Sequence, residues 1–201
     1  AIPLALLADR TTGLVGTHCD SIFYCTWSTG LGQFTHISDV AEPFYATTRI
    51  FANNRTREFH DQGLDPLKIM VEYCQQKEIE IFWSIRMNDI HDSYGEHLVI
   101  RQKHEHPDWC LGTRANKEKF SQSDPAWWWS ALNYEVPQVR DMIFRFCEDV
   151  CGRYAVDGIE LDFVRWGKNF ARHEAPFKVG IMDEFMGAVR TVLDEAANKR
   201  G

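Results

Sequence analysis

No stretch of this sequence approaches the roughly 18 consecutive apolar residues that a membrane-crossing helix needs, so no membrane partner is expected. Positive charge is scarce as well. Lys and Arg number 22 against 29 Asp and Glu, a formal net charge of −7. Phosphate binding requires a basic patch, so nucleic acid is not expected as a partner either. The six cysteines include no CxxC pair and are too few for a disulfide scaffold in 201 residues. Cys147 and Cys151 stand one helical turn apart, and Cys19, Cys25 and Cys74 lie among apolar neighbours. They read as buried thiols, and neither a metal nor another cofactor is expected. The opening residues 1–8 are short and lack a basic region, so they do not read as a signal peptide. The chain is expected to be soluble, with its compartment open and export after loss of a leader compatible with it.

The composition is that of an ordinary globular chain, 44% hydrophobic and 25% charged, and the length is that of one domain spanning 1–201. Residues 4–15 predict the end of a helix. Strands are predicted near 18–27, 79–88 and 156–164 from runs of β-branched and aromatic residues. Between them, Asp65-Pro66 starts a helix with an N-cap and a proline at its first position, and Leu67, Met70, Val71 and Cys74 supply its stripe. A second helix starts at Pro137 with Val139, Met142, Ile143, Phe146, Cys147, Val150 and Tyr154 on one face. A third runs from about Pro176 to Asn198. Two connections, 28–63 and 90–137, are too long for ordinary turns and are expected to be binding loops. Asn54-Arg-Thr56 is a glycosylation sequon of the kind that arises often by chance.

Strand–helix alternation predicts an α/β fold with a parallel sheet. The expectation is a (β/α)8 TIM-type barrel of which this chain holds a part, completed by missing or additional chain, because three strands cannot close eight. A complete small α/β sandwich is the rival.

The third strand carries the strongest chemical signal. With period two, Ile159, Leu161 and Phe163 share one face, and Glu160, Asp162 and Val164 the other. Two carboxylates turned toward a barrel interior are hard to explain as packing, since a buried unpaired charge is costly. In parallel folds the site lies at the C-terminal strand ends. Those ends carry Arg86, Asn88, Asp89, His91 and Asp92 after the second strand, and Glu160, Asp162, Arg165 and Trp166 after the third. If the two strands are neighbours, Arg86 lies beside Glu160 or Asp162 and keeps a carboxylate ionised. Asp162 and Glu160 are the expected catalytic pair, with Asp89 and Asp92 as further candidates for the acid. Arg86, Asn88, Asp89, His91, Arg165, Trp166 and Trp128 are the expected substrate contacts. The run Trp127-Trp-Trp129 suits sugar stacking or anchoring of its loop equally well.

The segments Asn133-Tyr-Glu-Val-Pro-Gln-Val-Arg140 and Tyr154-Ala-Val-Asp-Gly-Ile-Glu-Leu-Asp-Phe-Val-Arg165 resemble the glycoside-hydrolase-like TIM barrels often labelled family-10-like. The resemblance covers about residues 64–166. It implies that the motif forms barrel strand four, that the substrate is a polysaccharide or glycoside, and that the acidic site is at Asp162 and Glu160. The strand is also similar to the chitinase-type DGxDxDxE pattern, with Val164 in place of its last acid, and to the DGxRxD strand of α-amylase-type barrels, with Glu160 in place of the arginine.

A glycoside hydrolase acting on a carbohydrate substrate is therefore the expected function. Two alternatives stand beside it: a non-catalytic carbohydrate-binding barrel, and a metal-dependent lyase or isomerase using Glu160, Asp162 and His91 or Asp92 as ligands.

Overall fold

The computed structural model describes residues 2–26, 29–164, 166–171 and 173–201. In chain order the elements are α1 (Ile2–Arg10), β1 (Ser21–Cys25), β2 (Gln33–Phe34), β3 (Glu42–Pro43), α2 (Thr56–Asp61) and α3 (Pro66–Gln76). They continue with β4 (Glu80–Arg86), α4 (Arg101–Glu105), α5 (Asn116–Lys119), α6 (Pro137–Arg153), β5 (Gly158–Asp162) and α7 (Val179–Arg200). Short 3-10 turns lie between them.

The three long strands form one parallel sheet in the order β1–β4–β5. Ser21 to Cys25 align with Glu80 to Ser84, and Phe82 to Arg86 with Gly158 to Asp162. The strands are shorter than their sequence patterns, for local reasons. Ahead of β5, the carboxylate of Asp157 accepts the Ile81 amide at 2.7 Å. Beyond β4, Asn88 turns the chain toward Leu132 through amide bonds in both directions. Trp27, the expected end of the first strand, lies outside the described residues. At the N-terminus α1 stops at Arg10, where the Thr11 hydroxyl donates back to the Leu7 carbonyl at 3.0 Å, and a 3-10 turn follows. The last helix begins at Val179 after a separate 3-10 turn at Ala175–Phe177.

The helices form where capping and periodicity agree. Asp65 accepts from the amides of Leu67 and Lys68 at the head of α3, with Pro66 at the first helical position. Leu67, Met70, Val71 and Cys74 of α3 and Val139, Ile143, Phe146, Cys147 and Val150 of α6 are buried. They share one core with Ile81, Trp83, Ile85 and Met87, the odd-numbered side of β4, and with Phe185 and Val189 of α7. Trp83 anchors this core. It meets Phe34 edge-on at 5.6 Å, and its indole N–H donates to the Thr26 hydroxyl at 2.8 Å. Complete burial of such a side chain stabilises the fold by about 2–3 kcal/mol.

The sheet therefore has two unlike faces. Both crossover helices cover the same one, and consecutive strands are neighbours. The other face carries Phe23, Phe82, Ser84, Glu160 and Asp162, and Phe23 is 54% exposed. Phe82 stacks on Phe23 at 4.8 Å and also lies over Gly158, where a Cβ would fall 2.6 Å from the ring.

Candidate active site

The C-terminal end of β5 presents two carboxylates on the open face. Glu160 aligns with Ser84 and Asp162 with Arg86, and both acids are half-buried. Asp162 uses its backbone carbonyl to accept the Met87 amide at 2.9 Å, which ties the two strand ends together. Its Oδ1 accepts the Val164 amide at 2.9 Å, so the carboxylate is turned back over the end of its own strand.

The end of β4 is built differently. The expected juxtaposition of Arg86 with Asp162 is present in the register, and the Arg86 guanidinium also pairs with Asp89, Nη1 to Oδ2 at 3.0 Å. Asp89 is fully buried and accepts from the Gly30 amide at 3.2 Å, the His91 amide at 2.9 Å and His91 Nδ1 at 2.7 Å. Burial pushes its carboxyl up, but the bonds from His91 and Arg86 outweigh it and hold the group below the usual carboxylate range. Asp89 thus orients two other side chains and is itself out of reach of a substrate. Asn88 is buried too. Its amide nitrogen donates to the Leu132 and Lys168 carbonyls at 2.9 and 2.6 Å, and its oxygen accepts the Leu132 amide at 2.9 Å. Its place is that of a clamp between three segments.

Asp92, one turn further on, belongs to a closed polar knot. Lys103 Nζ reaches Asp92 Oδ2 at 2.7 Å with both side chains inaccessible to solvent, and the Ser130 hydroxyl donates to Asp92 Oδ1. Burial dominates here and raises the Asp92 carboxyl against the pull of Lys103. Gly30, at φ +80°, passes so close that a Cβ would lie 2.1 Å from Asp92 Cγ. The knot ties together distant parts of the 90–137 loop, and the 28–63 loop packs against it at Gly30.

The aromatic residues divide. Trp129 is buried, with the Arg114 guanidinium 4.6 Å over its ring, and anchors its loop. Trp127 and Trp128 are half-buried and join Tyr94, at 5.8 and 5.1 Å between ring centres. Trp128 also meets Trp166, which follows β5, at 5.9 Å, and His91 at 6.5 Å. An aromatic strip thus runs from the end of β5 to the His91 ring. Arg165 lies outside the described residues.

Two cavities flank this region. One, of about 510 Å3, is lined by Arg86 together with Arg10, Tyr24, Cys25, Arg55 and Thr56. The other, of about 390 Å3, is lined by His91 with Thr48, Arg49, Phe51, Tyr94 and His97. Both fall within the size range of small-ligand sites. Among the described residues, no three His, Cys, Asp or Glu side chains gather as a metal site. The Asn54 sequon is not open to modification in the folded chain, because its amide donates to the Phe44 and Ala46 carbonyls at 3.0 and 2.9 Å.

The sequence reading missed Tyr94, Lys103 and Ser130. Tyr94 carried a signal, as an aromatic inside a predicted binding loop. Lys103 and Ser130 carried none, since a lysine in a polar segment reads as solvated surface.

A family model described as glycosyl hydrolase-like 10 matches residues 34–174. In three dimensions the chain is similar to alpha-L-fucosidase isoenzyme 2 from Paenibacillus thiaminolyticus, with a TM-score of 0.56 and 15% sequence identity. That similarity covers 96% of this chain and 27% of the fucosidase, so the chain spans about a quarter of its length. At this identity the likeness is one of fold, an α/β arrangement of parallel strands. No curated protein matches the chain in sequence.

Proposed function

The chain belongs to the glycosyl hydrolase-like 10 family, and on that premise we propose that it hydrolyses glycosidic bonds in an oligo- or polysaccharide. The observation that carries this reading is the pair Glu160 and Asp162, set side by side on the open face of a parallel sheet at its C-terminal end. Glycoside cleavage needs an ionised carboxylate facing the anomeric carbon. Asp162 is the member aligned with the Arg86 cation, and we assign it that role. Glu160, one step deeper on the same face, assists by contacting the sugar or its attacking water.

The same sheet supports a wider architecture. Consecutive strand order with every crossover helix on one face describes the wall of a (β/α)8 barrel, whereas a doubly wound sheet reverses its order and carries helices on both faces. Exposed Phe23 and half-buried Phe82 then belong to the barrel interior, covered by strands outside these residues. Trp128, Trp166 and Tyr94 form the sugar platform, and the cavities beside Arg86 and His91 are the subsites on either side.

The test is a reducing-end assay of the chain on a polysaccharide and glycoside panel that includes fucosides, with Asp162→Asn as control. Sugar release by the wild type, lost in the variant, supports the proposal. Binding to a glycan without release of reducing ends would make the chain a carbohydrate-binding module instead.

A further inference from the structure

Acidic residues outnumber basic ones in this chain, 29 to 22, so an arginine side chain seldom lacks an acceptor. Among the described residues all but two are engaged. Most pair with a carboxylate, as Arg86 does with Asp89 and Arg114 with Glu96. Arg57 lies over the Tyr45 ring, and Arg140 and Arg200 donate to backbone carbonyls. Arg10 and Arg49 are the exceptions. Both are exposed, and among the described residues neither guanidinium has an ion-pair or hydrogen-bond partner.

Each of the two lines one of the cavities beside the strand ends. Arg10 is on the wall of the 510 Å3 cavity with Arg55 and Arg86, and Arg49 on that of the 390 Å3 cavity with His91 and His97. Asp9 is the one acidic residue on either wall, an inversion of the balance in the whole chain. The charge of Arg10 is felt by the Tyr24 hydroxyl on the same wall: burial raises that pKa and Arg10 lowers it. The end of α1 gives Arg10 a local reason to be there, since a cation complements the helix dipole. Arg49 has no such reason. Its backbone stands at φ +53°, a left-handed conformation that residues with a side chain adopt rarely and that tends to mark binding sites. The preceding residue, Thr48, is bonded to His97 Nε2 at 2.9 Å, which ties this turn to the 90–137 loop.

A guanidinium without a protein acceptor, on a wall almost without acids, suits an oxyanion that can accept two of its N–H groups at once. We infer that the glycan taken by this site is acidic, and that Arg49 and Arg10 each bind a negatively charged substituent, a carboxylate or a sulfate ester, on the sugars in the two cavities. The inference rests on the glycosidase reading, which makes the cavities sugar subsites, and adds the substrate class. Ile50, Phe51 and Leu98 offer the C–H side of a sugar ring an apolar wall next to Arg49. The net charge of −7 does not oppose an acidic ligand. At physiological ionic strength charges more than about 8 Å away are largely screened, so the groups in contact decide.

The experiment measures binding by calorimetry in the Asp162→Asn chain, so that turnover does not intervene. Four oligosaccharides of equal length serve as probes: a hexuronic acid oligomer, its methyl ester, a neutral hexose oligomer and the sulfate ester of that oligomer. At least one acidic oligomer should bind about tenfold or more tightly than its neutral counterpart, and which of them does so identifies the substituent. Arg49→Met and Arg10→Met should each weaken that binding about fivefold and change the neutral oligomers less than twofold. Arg49→Lys, which keeps the charge, should retain part of the affinity. Equal affinity for acidic and neutral oligomers, or equal losses on both in the arginine variants, would overturn the inference. Release of reducing ends from the neutral oligomers by the wild type would then still uphold the glycosidase reading. A chain that neither binds nor cleaves any of the four overturns both.

Discussion

The ends of β4 and β5 both carry acidic residues, but the two sets are held in opposite ways. Asp89 and Asp92 after β4 are sealed from solvent and saturated by designated partners, Arg86 and His91 for one and Lys103 and Ser130 for the other. Glu160 and Asp162 on β5 stand half-buried on a face that, among the described residues, no helix covers. Acids of the first kind build a site, because a buried carboxylate fixes whatever donates to it. Acids of the second kind remain accessible to a ligand. The same residue type at equivalent strand ends therefore does structural work in one place and is available for chemistry in the other.

Substitution of each kind should separate the two roles. Asp162→Asn should lower turnover by about 10³-fold or more, about 4 kcal/mol of barrier, with a thermal midpoint close to wild type. A variant of unchanged activity would remove Asp162 from the mechanism. Lys103→Met should do the reverse: it leaves Asp92 buried without its cation, costing about 3–5 kcal/mol of stability in a denaturant titration. A loss of activity at unchanged stability would place the Asp92 knot in the chemistry and erase the contrast. The tryptophans allow the same comparison in one tripeptide. Trp129→Ala should cost about 3–5 kcal/mol of stability. Trp128→Ala should cost far less and instead raise KM for a sugar chain.

Much of this contrast was legible in the sequence, and the rest was hidden for definite reasons. The alternation in Ile159 to Phe163 assigned Glu160 and Asp162 to one face before any partner strand was known, because strand parity is local. The cap at Asp65 and the stripe from Leu67 to Cys74 were equally local signals. The parallel α/β arrangement followed from the order of elements, while the barrel belongs to the proposal. The saturation of Asp89 and Asp92 was not legible. Their partners include Gly30, 59 residues away, and Ser130, 38 residues away, and no periodicity links such positions. Trp128 and Trp129 are likewise the same letter, and only the fold buries one and leaves the other beside Tyr94.

A buried histidine on the covered side of the sheet extends the comparison to pH. His36 lies in the core against Phe34, Trp83 and Tyr154, and its pKa is pushed down to about 3, first by burial and then by the charges of His60 and Arg153. The unfolded chain binds a proton at this ring below its ordinary value near 6.5, whereas the folded chain stays neutral until about pH 3. Stability is fully present above pH 6.5 and falls between the two values by about 1.4 kcal/mol per pH unit from this group alone. His91, by contrast, is not buried, and its ring reaches solvent. Replacing His36 by Phe should therefore flatten the acid side of the stability profile, measured by urea unfolding at stepped pH, while His91→Gln should leave that slope in place. A profile that keeps its full slope in His36→Phe would mean that carboxylates such as Asp89, whose stabilisation is also lost as pH falls through a lowered pKa, dominate acid unfolding.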